Sequence, residues 1–178
     1  AQAHALARLT WGDEVVVMLH PPVQRMGTAQ VVPPPGAFLQ ATRHGQEALT
    51  EAVQQIVGGA ARVVDLFAGC GTFALPLAKL AEVHAVEGDA MMTAALDRAW
   101  RDTPNLKRVT TETRDLFRRP LLPDELKAFD AVVIDPPRAG AAAQIAELAQ
   151  AHLPVIAHVS CNPTTFARDA VTLIAAGY

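Results

Sequence analysis

Cysteine is scarce in this chain of 178 residues: there are two, Cys70 and Cys161, far apart in sequence. Each stands in its own local motif, which gives no basis for a disulfide scaffold or a zinc cluster. No apolar run reaches the roughly 18 residues that a membrane-spanning helix needs. The first residues also lack a basic stretch followed by an apolar stretch and a cleavage site, so a cytoplasmic protein is expected. An excess of positive charge is missing too, since 15 Lys and Arg against 18 Asp and Glu give a formal net charge of −3. That balance argues against a generally basic nucleic-acid-binding surface, because Lys and Arg supply most non-specific affinity for phosphates. Local clustering offsets it: Arg98, Arg101, Lys107, Arg108, Arg114, Arg118 and Arg119 fall in one short stretch. They form either a basic patch beside a site or an ordinary solvated face.

What the chain does have is apolar substance, 51% hydrophobic residues, at a length that suits one α/β domain with a small appendage. The run Val15 to Leu19 reads as a strand between turns, with Ala29 to Val32 as its expected partner. Pro33-Pro34-Pro35-Gly36 breaks the pattern and marks a boundary. The spacing of Ala48, Leu49, Ala52, Val53 and Ile56 predicts a helix from about Arg43 to Val57, stopped by Gly58-Gly59. Strands are then expected at Arg62–Phe67, Val83–Glu87, Leu106–Thr111, Phe129–Asp135 and Pro154–Ser160. Helices are expected near 72–80, 90–101 and 141–151, with a last one capped by Asn162 and begun by Pro163. Alternating strands and helices imply a mostly parallel sheet with helices on both faces, and such sheets bind ligands at the carboxyl ends of their strands.

Three strand ends carry motifs. The first, Val64-Asp65-Leu66-Phe67-Ala68-Gly69-Cys70-Gly71-Thr72, runs from a buried strand into a glycine turn that lets backbone approach a ligand. Glu87 ends the next strand where such folds place a carboxylate on ribose hydroxyls, so a ribose-bearing cofactor is implied. Gly69, Gly71 and Ala74 also fit the nicotinamide fingerprint, which keeps a dinucleotide open as a rival. Asp65 favours the other choice: a carboxylate there would oppose a diphosphate and suit the cationic methionine moiety of S-adenosylmethionine. Cys70 reads as a small turn filler. The fourth strand ends in Asp135-Pro136-Pro137-Arg138-Ala139-Gly140, a carboxylate on a rigid loop able to address a substrate. Amino-methyltransferases have an aromatic residue where this chain has Arg138, which points away from exocyclic amines. The fifth ends in Ser160-Cys161-Asn162-Pro163, a thiol at the ligand-binding edge just before a helix whose N-terminus favours thiolate.

Taken together, Asp65-Leu-Phe-Ala-Gly-Cys-Gly-Thr-Phe, Asp135-Pro-Pro-Arg-Ala-Gly and Ser160-Cys-Asn-Pro-Thr-Thr-Phe-Ala-Arg-Asp169 resemble the RNA 5-methyluridine (uracil-C5) methyltransferase family, which acts on transfer and ribosomal RNA. Gly36-Ala37-Phe38-Leu39-Gln40-Ala41-Thr42 resembles the family's Phe-x-Gln-x-Asn segment, with Thr42 in place of the Asn. The resemblance implies a Rossmann-like class I methyltransferase fold over residues 36–178, preceded in 1–35 by the remnant of a β-rich domain or a linker. It implies S-adenosyl-L-methionine as cofactor and RNA as partner. Gln40, Phe67, Glu87 and Asp135 would contact cofactor or target base, Gly69 and Gly71 would shape the methionine pocket, and Asp115 would reach the adenine. Cys161 would add to C6 of a flipped-out uracil, because C5 is not nucleophilic until that addition occurs. The family's proton-abstracting Glu and the sheet's last strands would lie beyond Tyr178. No cysteine cluster for an iron–sulfur centre and no complete RNA-binding barrel precede the domain. Two other classes stay open, a nicotinamide-dependent oxidoreductase and a non-catalytic cofactor- or RNA-binding module. The related RNA cytosine-C5 enzymes carry Pro-Cys where this chain has Pro137-Arg138, which favours uracil.

Overall fold

Five short strands, joined by segments that carry the chain back so that all run the same way, assemble into one parallel sheet in the computed structural model, which describes residues 4–12 and 14–178. The strands are β5 (Arg62–Leu66), β6 (Glu82–Glu87), β7 (Val109–Thr113), β8 (Ala131–Ile134) and β9 (Val155–His158), in the order β7-β6-β5-β8-β9. Because β6 lies on one side of β5 and β8 on the other, the chain changes direction at β5. The crevice that such a switch opens lies at the carboxyl ends of the central strands.

Residues of alternate parity feed two apolar layers. Val63, Val83, Ala85, Val109, Val133 and Ala157 face α1 (Arg43–Val57), α2 (Ala74–Leu77) and α3 (Ala90–Arg101). Val64, Leu66, Val86, Val132 and Ile134 face α4 (Pro123–Leu126), α5 (Ala142–Ala151) and α6 (Pro163–Ala175). Helix α1 has the expected bounds, with Thr42 Oγ1 accepting the Gly45 N–H as its cap and Gly58 closing it. Asp89 caps α3, and Asn162 caps α6 with Pro163 in the first turn.

The amino-terminal part departs from expectation. Strand β2 (Glu14–Met18) pairs with β1 (Arg8–Trp11), and β4 (Ala29–Val31) pairs with β3 (Gln24–Met26), so the predicted pairing of the 15–19 and 29–32 runs does not form. Gly12 and Gly27, with φ of +56° and +62°, close two separate tight hairpins, which uses up each strand's local partner. Asp13, read as part of the Trp11-Gly12-Asp13 boundary, lies outside the described residues. Met26, Ala29 and Val31 are fully buried in the α1–α3 layer, whereas Trp11, Val16 and Met18 on the first hairpin are exposed.

Other differences have local causes. The helix expected over 72–80 shortens to Ala74–Leu77, because Pro76 lacks an N–H and the next residues tighten into three-residue turns, Lys79 N–H to Pro76 O and Leu80 N–H to Leu77 O. Strand β7 starts late, since Lys107 donates to Ala78 O instead of joining the ladder. Strand β8 starts late because the Asp130 carboxylate accepts the Ala61 and Arg62 N–H groups at 2.9 and 2.8 Å and holds a turn there. The basic stretch does not act as one patch: the Arg114 guanidinium turns inward to Glu125, Glu112 and the carbonyls of Arg119 and Pro120, and Arg101 pairs with Asp97.

Gly71 sets the tightest packing in the main turn. Its φ is +95°, and a Cβ there would meet Leu75 and Leu96 side-chain carbons at 2.9 Å. Gly71→Ala should lower stability by about 2–4 kcal/mol, combining overpacking with a left-handed backbone that Ala resists. The measurement is the urea midpoint at unchanged m-value; an unaltered midpoint would remove Gly71 from this role.

Candidate active site

At the end of β5 the chain must leave a strand that is paired along both edges, and it does so by an abrupt reversal. Phe67 adopts φ +61°, unusual for a residue with a Cβ, followed by Gly69 at +56° and Gly71 at +95°. Three of the freed N–H groups find acceptors within the protein: Ala68 donates to Val86 O at 3.1 Å, Gly69 to the Glu87 carboxylate at 3.0 Å and Gly71 to Ala68 O at 2.9 Å. The other Glu87 oxygen accepts the Asp89 N–H at 3.0 Å, and Asp89 in turn caps α3 through Met91 and Met92. Glu87 is thereby fixed between the glycine turn and α3, and its carboxylate retains lone pairs for hydroxyl donors. Nothing lies within 4 Å of where a Gly69 Cβ would be, so the space before the turn is open.

Beside it, Asp115 follows β7, and its carboxylate accepts the Phe117 and Arg118 N–H groups at 3.0 and 3.3 Å. This turn sets the Phe117 ring against that of Phe67, with centroids 5.4 Å apart. Sequence reading missed Asp89 and Phe117. Asp89 had a signal, an Asp directly before a helix-periodic run; Phe117 had none, because its value comes from a neighbour fifty residues away.

Asp135 directly follows β8, with its N–H donating to Leu66 O at 3.2 Å, which brings it level with the glycine turn. Cys161 is exposed, two residues beyond the adjacent Val159, whose N–H donates to Ile134 O at 2.9 Å. The two loops are joined directly: Asn162 Nδ2 donates to Arg138 O at 2.9 Å, while Ser160 Oγ accepts the Asn162 N–H at 3.1 Å. Cys161 is thus held between two fixed residues. Gln40 lies half-buried in the segment before α1, at the end of that helix remote from the start of β5 and hence toward the same sheet edge. No hydrogen bond joins it to the other candidates. A crevice of about 700 Å³ along β9 and α6, lined by His158 and Phe166 among others, touches none of these residues.

Electrostatically the site is a cluster of carboxyl groups, of which Asp65, Glu87 and Asp135 have no Lys or Arg partner among the described residues. Asp65 is fully buried, neither carboxylate oxygen has a hydrogen-bond partner among the described residues, and its pKa is pushed well up by burial and then by Asp135. The Ala74 N–H opposes this from outside hydrogen-bonding geometry. Burial raises Asp135 to about 6. Cys70 is buried, and desolvation followed by the charges of Glu87 and Asp89 lifts its thiol to about 11, an inert turn filler. A ligand that presents a cation to Asp65, hydroxyls to Glu87 and an aromatic plane to Phe67 fits this set, as S-adenosylmethionine would. A dinucleotide does not: its diphosphate would meet orphaned carboxylates, and α2, four residues long, offers little helix dipole to offset them.

A family model described as tRNA (uracil-5-)-methyltransferase matches residues 34–176. An uncharacterized RNA methyltransferase of Rhizobium meliloti is 56% identical over 173 residues, covering 97% of this chain and 42% of that protein. The 23S rRNA (uracil(1939)-C(5))-methyltransferase RlmD of Yersinia enterocolitica is 44% identical over 124 residues, 66% of this chain and 27% of that one. Among solved structures, the Pyrococcus abyssi tRNA (uracil-54, C5)-methyltransferase in complex with S-adenosyl-L-homocysteine superposes with a TM-score of 0.76 at 26% identity, over 90% of this chain and 40% of that one. The chain therefore spans about two fifths of the length of the first relatives it matches.

The raised Asp135 makes stability depend on pH. Its folded pKa of about 6 lies above the ordinary 3.8, so the folded state holds the proton more tightly. The resulting stabilisation is complete below 3.8 and is lost as pH rises to 6; Asp65 is shifted in the same direction. Asp135→Asn should therefore be more stable than the parent at pH 7, by about 1–3 kcal/mol, with the gap closing toward pH 4. Urea titrations across that range measure it, and a gap that does not change with pH would contradict the assignment.

Proposed function

The chain belongs to the tRNA (uracil-5-)-methyltransferase family, and from that premise we propose that it methylates C5 of a uridine in transfer or ribosomal RNA, in the cytoplasm, with S-adenosyl-L-methionine as methyl donor and Cys161 as nucleophile. The observation that carries this reading is the tie between two adjacent strand ends, Asn162 to Arg138 O, which links the loop of the exposed Cys161 thiol to the loop of the half-buried Asp135 carboxylate. Residues 36–178 supply this chemistry, with Met26, Ala29 and Val31 of the β3–β4 hairpin packed into their core.

In this reading Glu87 holds the ribose hydroxyls, Asp115 the adenine, and Phe67 and Gln40 line the cofactor. Gly69 and Gly71 give the methionine end room, with Asp65 facing its ammonium group. When bound, the cofactor supplies an electrophilic methyl group. Cys161 Sγ attacks C6 of the uracil, the new S–C bond forms, and the C5=C6 electron pair moves to C5, which becomes the nucleophile. Once C5 carries the methyl group, loss of its proton returns the electron pair to the C5=C6 bond and expels the thiolate. Asp135, on its rigid Pro136-Pro137 loop, orients the base. Its raised pKa lets it present either a donor or an acceptor near neutral pH. The target uridine must leave its stack to reach this edge.

RNA carrying 5-fluorouridine tests the nucleophile, since its fluorine cannot leave as a proton. The parent protein with cofactor should form a denaturant-resistant protein–RNA adduct, and Cys161→Ala should form none; an adduct in that variant would reassign the attack. Glu87→Ala should weaken cofactor binding by about 1–3 kcal/mol in calorimetry, the worth of a charge-assisted hydrogen bond. Unchanged affinity would remove Glu87 from the cofactor site.

A further inference from the structure

The loop that carries Asp135 cannot finish its own hydrogen bonding. Pro136 and Pro137 have no N–H, and Ala141, which caps α5, has no side chain to cap with. The missing acceptor comes from α6: Asp169, only 1% exposed, takes the Ala141 N–H on one oxygen at 3.1 Å. Its other oxygen accepts Arg168 Nε and Nη2 at 2.9 and 2.7 Å, and the same guanidinium reaches Ala139 O at 3.4 Å. Thr165 Oγ1 and Asn162 Nδ2 both donate to Arg138 O. Gly140 fits beneath them at φ +77°, where a Cβ would collide with Arg168 and stand 2.9 Å from Thr165 Cβ and 3.0 Å from Asp169 Oδ2.

These contacts have a common outcome. Every tie from the 138–141 loop ends on the first two turns of α6 or on its cap, and Cys161 is the residue directly before that cap. A buried carboxylate is costly unless it is paired and hydrogen-bonded, as Asp169 is. Here it welds the segment after Asp135 to the segment after Cys161.

We propose that Asp169 is a positioning residue, an external cap for α5 that locks the Asp135 loop to the amino end of α6 and so fixes the Cys161 thiol relative to the Asp135 carboxylate. The inference rests on the uracil-methylation reading for its catalytic consequence and on the geometry alone for its structural one. Asp169→Asn keeps an oxygen for the Ala141 N–H, and Asp169→Ala keeps nothing. The cofactor half of the site, on β5 and β6, is untouched by either.

The test compares both variants with the parent in the intact protein, normalised to molecules that bind S-adenosylmethionine. In Asp169→Ala the rate of adduct formation with 5-fluorouridine RNA should fall about 10- to 100-fold, as displacements near 1 Å do, with cofactor Kd within about twofold. Asp169→Asn should recover most of the rate. Alkylation of Cys161 by iodoacetamide, which needs no RNA, should change at least about threefold in Asp169→Ala, as expected of a displaced thiol. Parent-like alkylation and parent-like adduct rate per cofactor-binding molecule would overturn the proposal. If the parent itself forms no adduct, the methylation reading fails, and the alkylation comparison alone decides the positioning role: a change upholds it and no change overturns it.

Discussion

Strand β5 is hydrogen-bonded to β6 on one side and β8 on the other and is covered by helices on both faces, so its carboxyl end has nowhere to go but sharply upward. The left-handed Phe67, the two glycines and the N–H groups they free all follow from that confinement. Glu87 is where this demand meets chemistry. Its carboxylate is needed to satisfy Gly69 and Asp89 before any ligand arrives, and the residue that stabilises the turn is therefore already oriented toward whatever enters it. Preorganisation here comes from a backbone obligation rather than from a separate set of supports.

The same confinement buries charge. Asp65 stands in the middle of the sheet with no donor, and no Lys or Arg among the described residues forms a salt bridge with Asp65, Glu87 or Asp135. Leaving such groups unpaired costs free energy that ordinary core residues would not, which makes the pocket hostile to anions and receptive to a cation. A cationic ligand would relieve this repulsion in the folded state only, so binding and folding are coupled by mass action.

The sequence made the sheet legible because strands buried on both faces leave continuous apolar runs, and the three motifs stand at their ends by construction. Helix α1 and the start of α6 were legible, since Gly58, Asn162 and Pro163 are strong local punctuation. What local patterns could not give were relations between distant segments. The 15–19 and 29–32 runs look like partners only if the weak strands beside them, Arg8–Trp11 and Gln24–Met26, are overlooked. Arg114 reads as surface charge until its five acceptors are seen. Asp169 reads as one more helix polar residue, and its partner Ala141 lies 28 positions earlier.

The site consists of two halves with different anchors. Glu87 and Asp89 bind the glycine turn to α3 on one face of the sheet, while Asp169, Arg168 and Asn162 bind the Asp135 loop to α6 on the other. Among the described residues, hydrogen bonding connects them through the ladder, extended by one bond from Asp135 N–H to Leu66 O, and Asp135 also acts on Asp65 through space. Among the described residues, side-chain rearrangement in one half therefore has no hydrogen-bonded route into the other except through a central strand paired along both edges. A ligand at the glycine turn and a group at the thiol therefore meet side chains whose hydrogen bonds are separate. For a two-substrate reaction that separation is useful, because each substrate meets a half already in its working geometry.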